Sequence, residues 1–261
     1  DYMWEALKDP AAGINMIQTA ENLAKKYNIT REEVDQFASD SFAKAVAAQE
    51  SGFLAGEIVP VVTEKFELEK AAGRRLFGMF GNPMTSDPSV QGKHYNTGNT
   101  NIILHGGKLL ALMEGSQPVA MDPFELTTLG VHDYDGTIAS TFSAHPKIDY
   151  ATGELVNIGA NINGWTGEAA LQYTITTAEG VVRHAVTIPI PHFALIHTFF
   201  LTENWVVIPV VPLDTDIQRG MRGGPMTAWN TGRPTKIAIL PREGTADDVR
   251  WCEFDPRHMF H

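Results

Sequence analysis

The chain has 261 residues, 43% hydrophobic and 20% charged, enough apolar mass for one large globular domain or two ordinary ones. That balance excludes a disordered tail and a collagen-like repeat, and a single cysteine, Cys252, excludes a disulfide scaffold. A net charge of −11 repels phosphate backbones, so nucleic acid is not an expected partner.

The lone cysteine fits a reducing compartment, and a cytoplasmic location is expected. No apolar run reaches the ~18 residues of a membrane span, so no transmembrane segment is expected. The start, Asp1-Tyr2-Met3-Trp4, has neither an initiator Met nor the pattern of a signal peptide, and the sequence is expected to be a fragment.

In chain order, residues 14–50 read as helix. Ile14, Ile17, Leu23, Ala24 and Tyr27, then Val34, Phe37, Ala38, Ser41 and Ala45, recur at three- and four-residue steps. Thr30-Arg31-Glu32-Glu33 has the spacing of a capping box and predicts a second helix starting at Thr30, after a break at Tyr27-Asn28-Ile29. Gly52 is expected to end it, and Glu57-Ile58-Val59-Pro60-Val61 reads as a short strand. Phe66–Leu76 is expected to be one more helix, leading into a loop rich in Gly, Pro and Asp.

From about residue 97 the period changes to two. Strands are predicted over Asn101–Leu104, Leu109–Met113, Glu154–Ile158, Leu171–Thr176, Val181–Ile188, Trp205–Val211 and Lys236–Leu240. Gly106-Gly107, Asp122-Pro123, Thr152-Gly153, Glu179-Gly180 and Gly223-Gly224 mark turns. Many short strands at near-regular spacing predict a mainly β fold: a sandwich, a barrel or a propeller.

Nine histidines are present. A single strand histidine is more often a structural residue than a ligand. Several arriving on separate strands can act together only where the fold converges them, and a mostly imidazole site suits iron, zinc or copper.

The stretches Thr63-Glu64-Lys65-Phe66, Ala71-Ala72-Gly73-Arg74-Arg75-Leu76-Phe77, Asn99-Thr100-Asn101, His105-Gly106-Gly107-Lys108-Leu109-Leu110-Ala111-Leu112, Ser143-Ala144-His145-Pro146-Lys147 and Leu201-Thr202-Glu203-Asn204 make residues 62–261 resemble the carotenoid cleavage dioxygenases, especially their bacterial lignostilbene branch. That resemblance implies a seven-bladed β-propeller with a nonheme Fe(II) held by four histidines. His145, in Ala-His-Pro-Lys, His197, in Ile-His-Thr-Phe, and His261, in Met-Phe-His, match three of the four. The fourth lies beyond His261 in the family, so a partial propeller with three ligands is expected. Glu114 matches a glutamate that orients a ligand imidazole; read without the family, it is a solvated turn residue before Gly115. His258 falls outside the motif and reads as a surface or strand histidine.

The implied activity is cleavage of a conjugated C=C bond by O₂ into two carbonyl products. Stilbene-cleaving relatives grip a phenol hydroxyl with a Tyr and a Lys, where this sequence has Phe80 and Met113. Neither side chain donates a hydrogen bond. A small apolar conjugated substrate, a carotenoid, an apocarotenoid or an unhydroxylated stilbene, is therefore expected with O₂ as co-substrate.

Residues 1–61 resemble a different family. Asn15-Met16, Thr19-Ala20-Glu21-Asn22-Leu23-Ala24, Tyr27-Asn28-Ile29-Thr30-Arg31-Glu32-Glu33, Phe37-Ala38 and Glu57-Ile58-Val59-Pro60-Val61 are similar to the helical loop segment of thiolases. Two domains are expected, a helical thiolase-like segment over 1–61 and an incomplete dioxygenase-like β-propeller over 62–261. The alternatives are an acyl-CoA thiolase-related protein, against which the absent nucleophile counts, and a non-catalytic β-rich fragment or fusion.

Overall fold

The computed structural model describes residues 13–78, 81–164, 167–222, 224–257 and 259. The chain divides into two compact units, Asp1–Pro60 and Val61–His261.

The first unit carries α1 (Met16–Tyr27) and α2 (Arg31–Glu50). Both begin at reciprocal caps. Asn15 Oδ1 accepts from the Gln18 N–H at 2.9 Å while the Gln18 side chain accepts from Asn15 N, and Thr30 with Glu33 repeats the pattern at the second helix. Asn28, in the left-handed region at φ 52°, closes α1. No residue of either helix is buried, and Met16, Phe37 and Phe42 are each at least three-quarters exposed. Glu57–Val61, expected as a strand, is a turn running into extended chain without a pairing partner among the described residues. Its apolar, β-branched composition favours a strand, but a strand needs a neighbour.

The second unit opens with α3 (Glu64–Ala72). Thr63 caps its start and Gly73, at φ +63°, ends it four residues before the expected boundary at Leu76. The chain then turns back on Glu69, whose Oε1 accepts from the Leu76 and Phe77 N–H groups at 2.8 and 3.0 Å and whose Oε2 pairs with Lys65. Burial pushes this carboxyl up, but the Lys65 ammonium and the two N–H donors outweigh it and hold it at about 2. A carboxylate held below its unfolded value near 4.5 contributes stability above that value, and the contribution drains away as pH falls toward 2. Glu69→Gln is expected to lower the unfolding free energy at neutral pH by on the order of 2 kcal/mol. By urea titration, the gap between variant and parent should narrow between pH 5 and pH 3.

Beyond residue 100 the chain is antiparallel β. β1 (Asn101–His105), β2 (Lys108–Leu112), β3 (Val119–Met121) and β4 (Thr128–Val131) form one four-stranded sheet in sequence order. β5 (Lys147–Asp149), β6 (Glu154–Ala160), β7 (Ala170–Thr176) and β8 (Val182–Pro189) form a second. A third has the order β14-β13-β10-β9, from β9 (Phe200–Leu201), β10 (Trp205–Val210), β13 (Thr235–Pro241) and β14 (Arg250–Phe254). Between β10 and β13 the chain makes a two-stranded ribbon, β11 (Leu213–Thr215) and β12 (Thr227–Trp229), joined by the short helix α4 (Ile217–Met221). The described residues form open sheets, with no closed propeller ring among them.

The sheets stack through shared cores. Val156, Ile158, Leu171, Tyr173, Ile175 and Ile188 of the second sheet pack with Val206, Ile208, Val210, Ala238 and Leu240 of the third. Leu110, Leu112 and Ala120 of the first sheet meet Leu155 of the second through Ile138, Phe142 and Ala144 of the intervening loop. β7 is therefore buried along nearly its whole length, as a strand covered on both faces must be.

Candidate metal centre

His145 and His197 lie on two loops, the first leading into β5 and the second leading from β8 to β9. Fifty-two residues separate them, yet their Nε2 atoms are 3.0 Å apart and the rings meet edge-on at 67°. Glu114, in the turn after β2, places Oε1 against His197 Nδ1. The three residues offer ligand atoms within 4.8 Å of one another.

Their roles differ. A carboxylate on Nδ1 fixes the proton there, leaving the His197 Nε2 lone pair aimed at His145. The Glu114 oxygen contacts His197 at the ring nitrogen other than the one that faces His145. Glu114 is thus more than a solvated turn residue.

The spacing fits a bound ion. Two nitrogens 3.0 Å apart are close enough to bind one ion at ligand distances of ~2.0–2.1 Å each.

The His145 loop is held along β6. The Ser143 N–H donates to Asn157 Oδ1 at 2.9 Å, Thr141 Oγ1 to the Ala160 carbonyl at 2.8 Å and Ser140 Oγ to the Ile162 carbonyl at 2.9 Å. Gly159, in β6, permits this approach: a Cβ there would lie 2.2 Å from the Thr141 carbonyl oxygen. The His197 loop is pinned by Asn161 Nδ2, which donates to the Ala194 carbonyl at 3.0 Å, and by pairing of Phe193 and Leu195 with Thr215 and Leu213 of β11. Lys147 Nζ donates to Thr198 Oγ1 at 3.0 Å, and burial lowers this lysine's pKa. None of these supporting side chains was legible as a site residue in the sequence; only their closeness to His145 and His197 hinted at it.

Of the other residues expected at the site, His261 and Phe80 lie outside the described residues, as does His258. Met113 is half-buried beside Glu114, and its sulfur accepts from the N–H and the hydroxyl of Thr97 at 3.4 and 3.5 Å. Cys252, on β14, has no part in this cluster.

The stacked antiparallel sheets present a β protein with two converging imidazoles, one of them backed by a carboxylate, that could hold a metal ion. Residues 59–261 match the family model of the retinal pigment epithelial membrane protein, and the chain belongs to that family. The model of the thiolase N-terminal domain matches residues 1–73.

Among relatives, the isoeugenol monooxygenase of Pseudomonas putida is 38% identical over 202 residues, covering 77% of this chain and 42% of that protein. The carotenoid cleavage oxygenase 1 of Neurospora crassa is 42% identical over 195 residues, covering 74% and 36%. The crystal structure of Pseudomonas brassicacearum lignostilbene dioxygenase superposes with a TM-score of 0.69 at 40% identity, over 74% of this chain and 40% of that one. The chain thus spans about two fifths of the length of the proteins it matches.

Proposed function

We propose that the protein is a nonheme Fe(II) dioxygenase that splits a conjugated C=C bond with O₂ into two carbonyl products. The observation that carries this reading is the 3.0 Å convergence of the His145 and His197 Nε2 atoms, with Glu114 behind His197, in a chain of this family. His145, His197 and His261 are the proposed ligands and Glu114 the residue that orients His197. The relatives' names, an isoeugenol monooxygenase, a carotenoid cleavage oxygenase and a lignostilbene dioxygenase, support an alkene conjugated to an aryl ring or polyene. When bound, Fe(II) supplies the redox chemistry between O₂ and the alkene.

The chain's own residues do the rest. Neutral imidazoles leave the ion its full charge, and the Glu114 carboxylate makes the metal-facing nitrogen of His197 more basic. Neither a methionine at 113 nor a phenylalanine at 80 has a side-chain proton to give a phenol, and an unpaired buried oxygen costs about 1–3 kcal/mol, so an apolar substrate end is proposed. The three four-stranded sheets are proposed as propeller blades within a dioxygenase-like domain over 62–261. Residues 1–61 form a separate helical segment not needed for the chemistry. No helix among the described residues is long and apolar enough to cross a membrane.

The test is product analysis. Protein loaded anaerobically with Fe(II), then given O₂ and trans-stilbene or an apocarotenoid, should release two carbonyl fragments in equal amounts. Iron-loaded protein that consumes no substrate from either class overturns the reading. Glu114→Ala should weaken iron retention by roughly 10–100-fold, and Glu114→Gln less, since Gln keeps an acceptor oxygen but loses the charge. Equilibrium dialysis against graded Fe(II) measures both, and parent-like retention by Glu114→Ala would reduce this residue to a turn.

A further inference from the structure

We infer that Asn157, Asn161 and the Lys147–Thr198 pair are positioning residues that set the separation of the His145 and His197 imidazoles, an inference that rests on the metal-centre reading above. Two loops that meet from positions 52 residues apart have no covalent reason to stop at 3.0 Å. Each is fixed twice, upstream of its histidine to an asparagine of β6 or just past it, and downstream by the bond between Lys147 and Thr198.

Upstream, both anchors are asparagines, one at the middle of β6 and one just past its end. Asn157, within the strand, accepts from the Ser143 N–H, two residues before His145. Asn161, one residue past the strand, donates to the Ala194 carbonyl, three residues before His197. Asn157 is 1% exposed and Asn161 8%, so neither bond is exchanged for water at low cost. Asn161 has φ 56°, a left-handed conformation that Asn and Asp adopt more readily than other side-chain-bearing residues. Downstream, Lys147 follows His145 by two residues and Thr198 follows His197 by one, and their hydrogen bond closes the frame. β6, the two loops and this bond make a closed circuit around the paired imidazoles. The Ser143 hydroxyl adds an internal brace by accepting from the His145 N–H at 2.9 Å.

Thr198, itself buried, gives the sharpest test because valine matches its shape without the hydroxyl and serine keeps the hydroxyl. Asn161→Asp keeps size and backbone tolerance but sets a carboxylate against the Ala194 carbonyl. In the full chain, Co(II) serves as the probe, read by titration and by its visible ligand-field bands at a temperature well below unfolding. Thr198→Val and Asn161→Asp are each expected to lower Co(II) affinity about tenfold and to alter the bands, and Thr198→Ser to restore both. A residue acting only on stability would shift the melting temperature and leave affinity and bands alone. His145→Ala separates the two levels. If it loses Co(II) while Thr198→Val and Asn161→Asp bind with parental affinity and bands, the positioning role is overturned. If His145→Ala itself binds as the parent does, the metal-centre reading fails, and the positioning role with it. Should Asn161→Asp not fold, the valine–serine contrast at Thr198 decides.

Discussion

Fe(II) affinity is expected to fall by more than 100-fold in His145→Ala and in His197→Ala, beyond the roughly 10–100-fold that loss of an orienting partner costs. Each variant removes a donor atom itself and with it the pair of nitrogens 3.0 Å apart that can share an ion. The control is His184, whose Nε2 meets the Gly244 carbonyl at 3.0 Å on the outer edge of the second sheet. His184→Ala should bind iron as the parent does. Equilibrium dialysis with iron quantified by atomic absorption distinguishes the three, and equal retention in all of them would remove the paired histidines from any metal role.

Gly159→Ala is expected to be a severely damaging single-methyl change. Its Cβ would sit 2.2 Å from the Thr141 carbonyl oxygen and 2.9 Å from the Thr141 carbonyl carbon. The obstacle is the Thr141 backbone on one side, with Gly159 paired to Gln172 of β7 on the other, so no side-chain rotation relieves it. Either the His145 loop lifts off β6, breaking the Thr141, Ser140 and Ser143 hydrogen bonds, or the strand leaves its register with β7. The expected cost is about 3 kcal/mol or more. Where the variant still folds, iron affinity should drop with it, because the displaced loop carries His145. Gly56→Ala meets no atom within 4 Å and should change stability by less than about 0.5 kcal/mol. Urea unfolding of both variants tests the contrast, and a Gly159→Ala protein as stable as the parent would show that the loop is not held against the strand.

The strands legible from alternation or apolar runs were those that carry the cores. β6, β7, β10 and β13 supply most of the shared cluster, so their sequences are dense in Val, Ile and Leu. β3, β5, β9, β11 and β12 are two or three residues long, and no periodicity can be read over so short a run. β14 was hidden differently: Arg250, Trp251, Glu253 and Phe254 of this edge strand are all exposed, so its placement depends on pairing with β13. At the other extreme, both capping boxes act within four residues, and the one at Thr30 was visible in the sequence, while the overlong helix at Phe66–Leu76 failed because Gly73 ends it.

The site divides the same way. His145, His197 and Glu114 were recognisable through family motifs, since nothing local marks a turn glutamate as the partner of a histidine 83 residues later. Asn157, Asn161, Gly159 and Thr198 act through contacts of 14 to 51 residues in sequence separation, and asparagine, glycine and threonine within a β-rich chain carry no signal of such roles.

The most direct measurement is a crystal structure of the anaerobic Fe(II)-loaded protein with data collected on both sides of the iron absorption edge. An anomalous peak about 2.1 Å from both the His145 and the His197 Nε2 atoms, with Glu114 still on His197 Nδ1, is the predicted result. Iron bound elsewhere in the chain, with the two imidazoles hydrogen-bonded only to each other, would contradict the account.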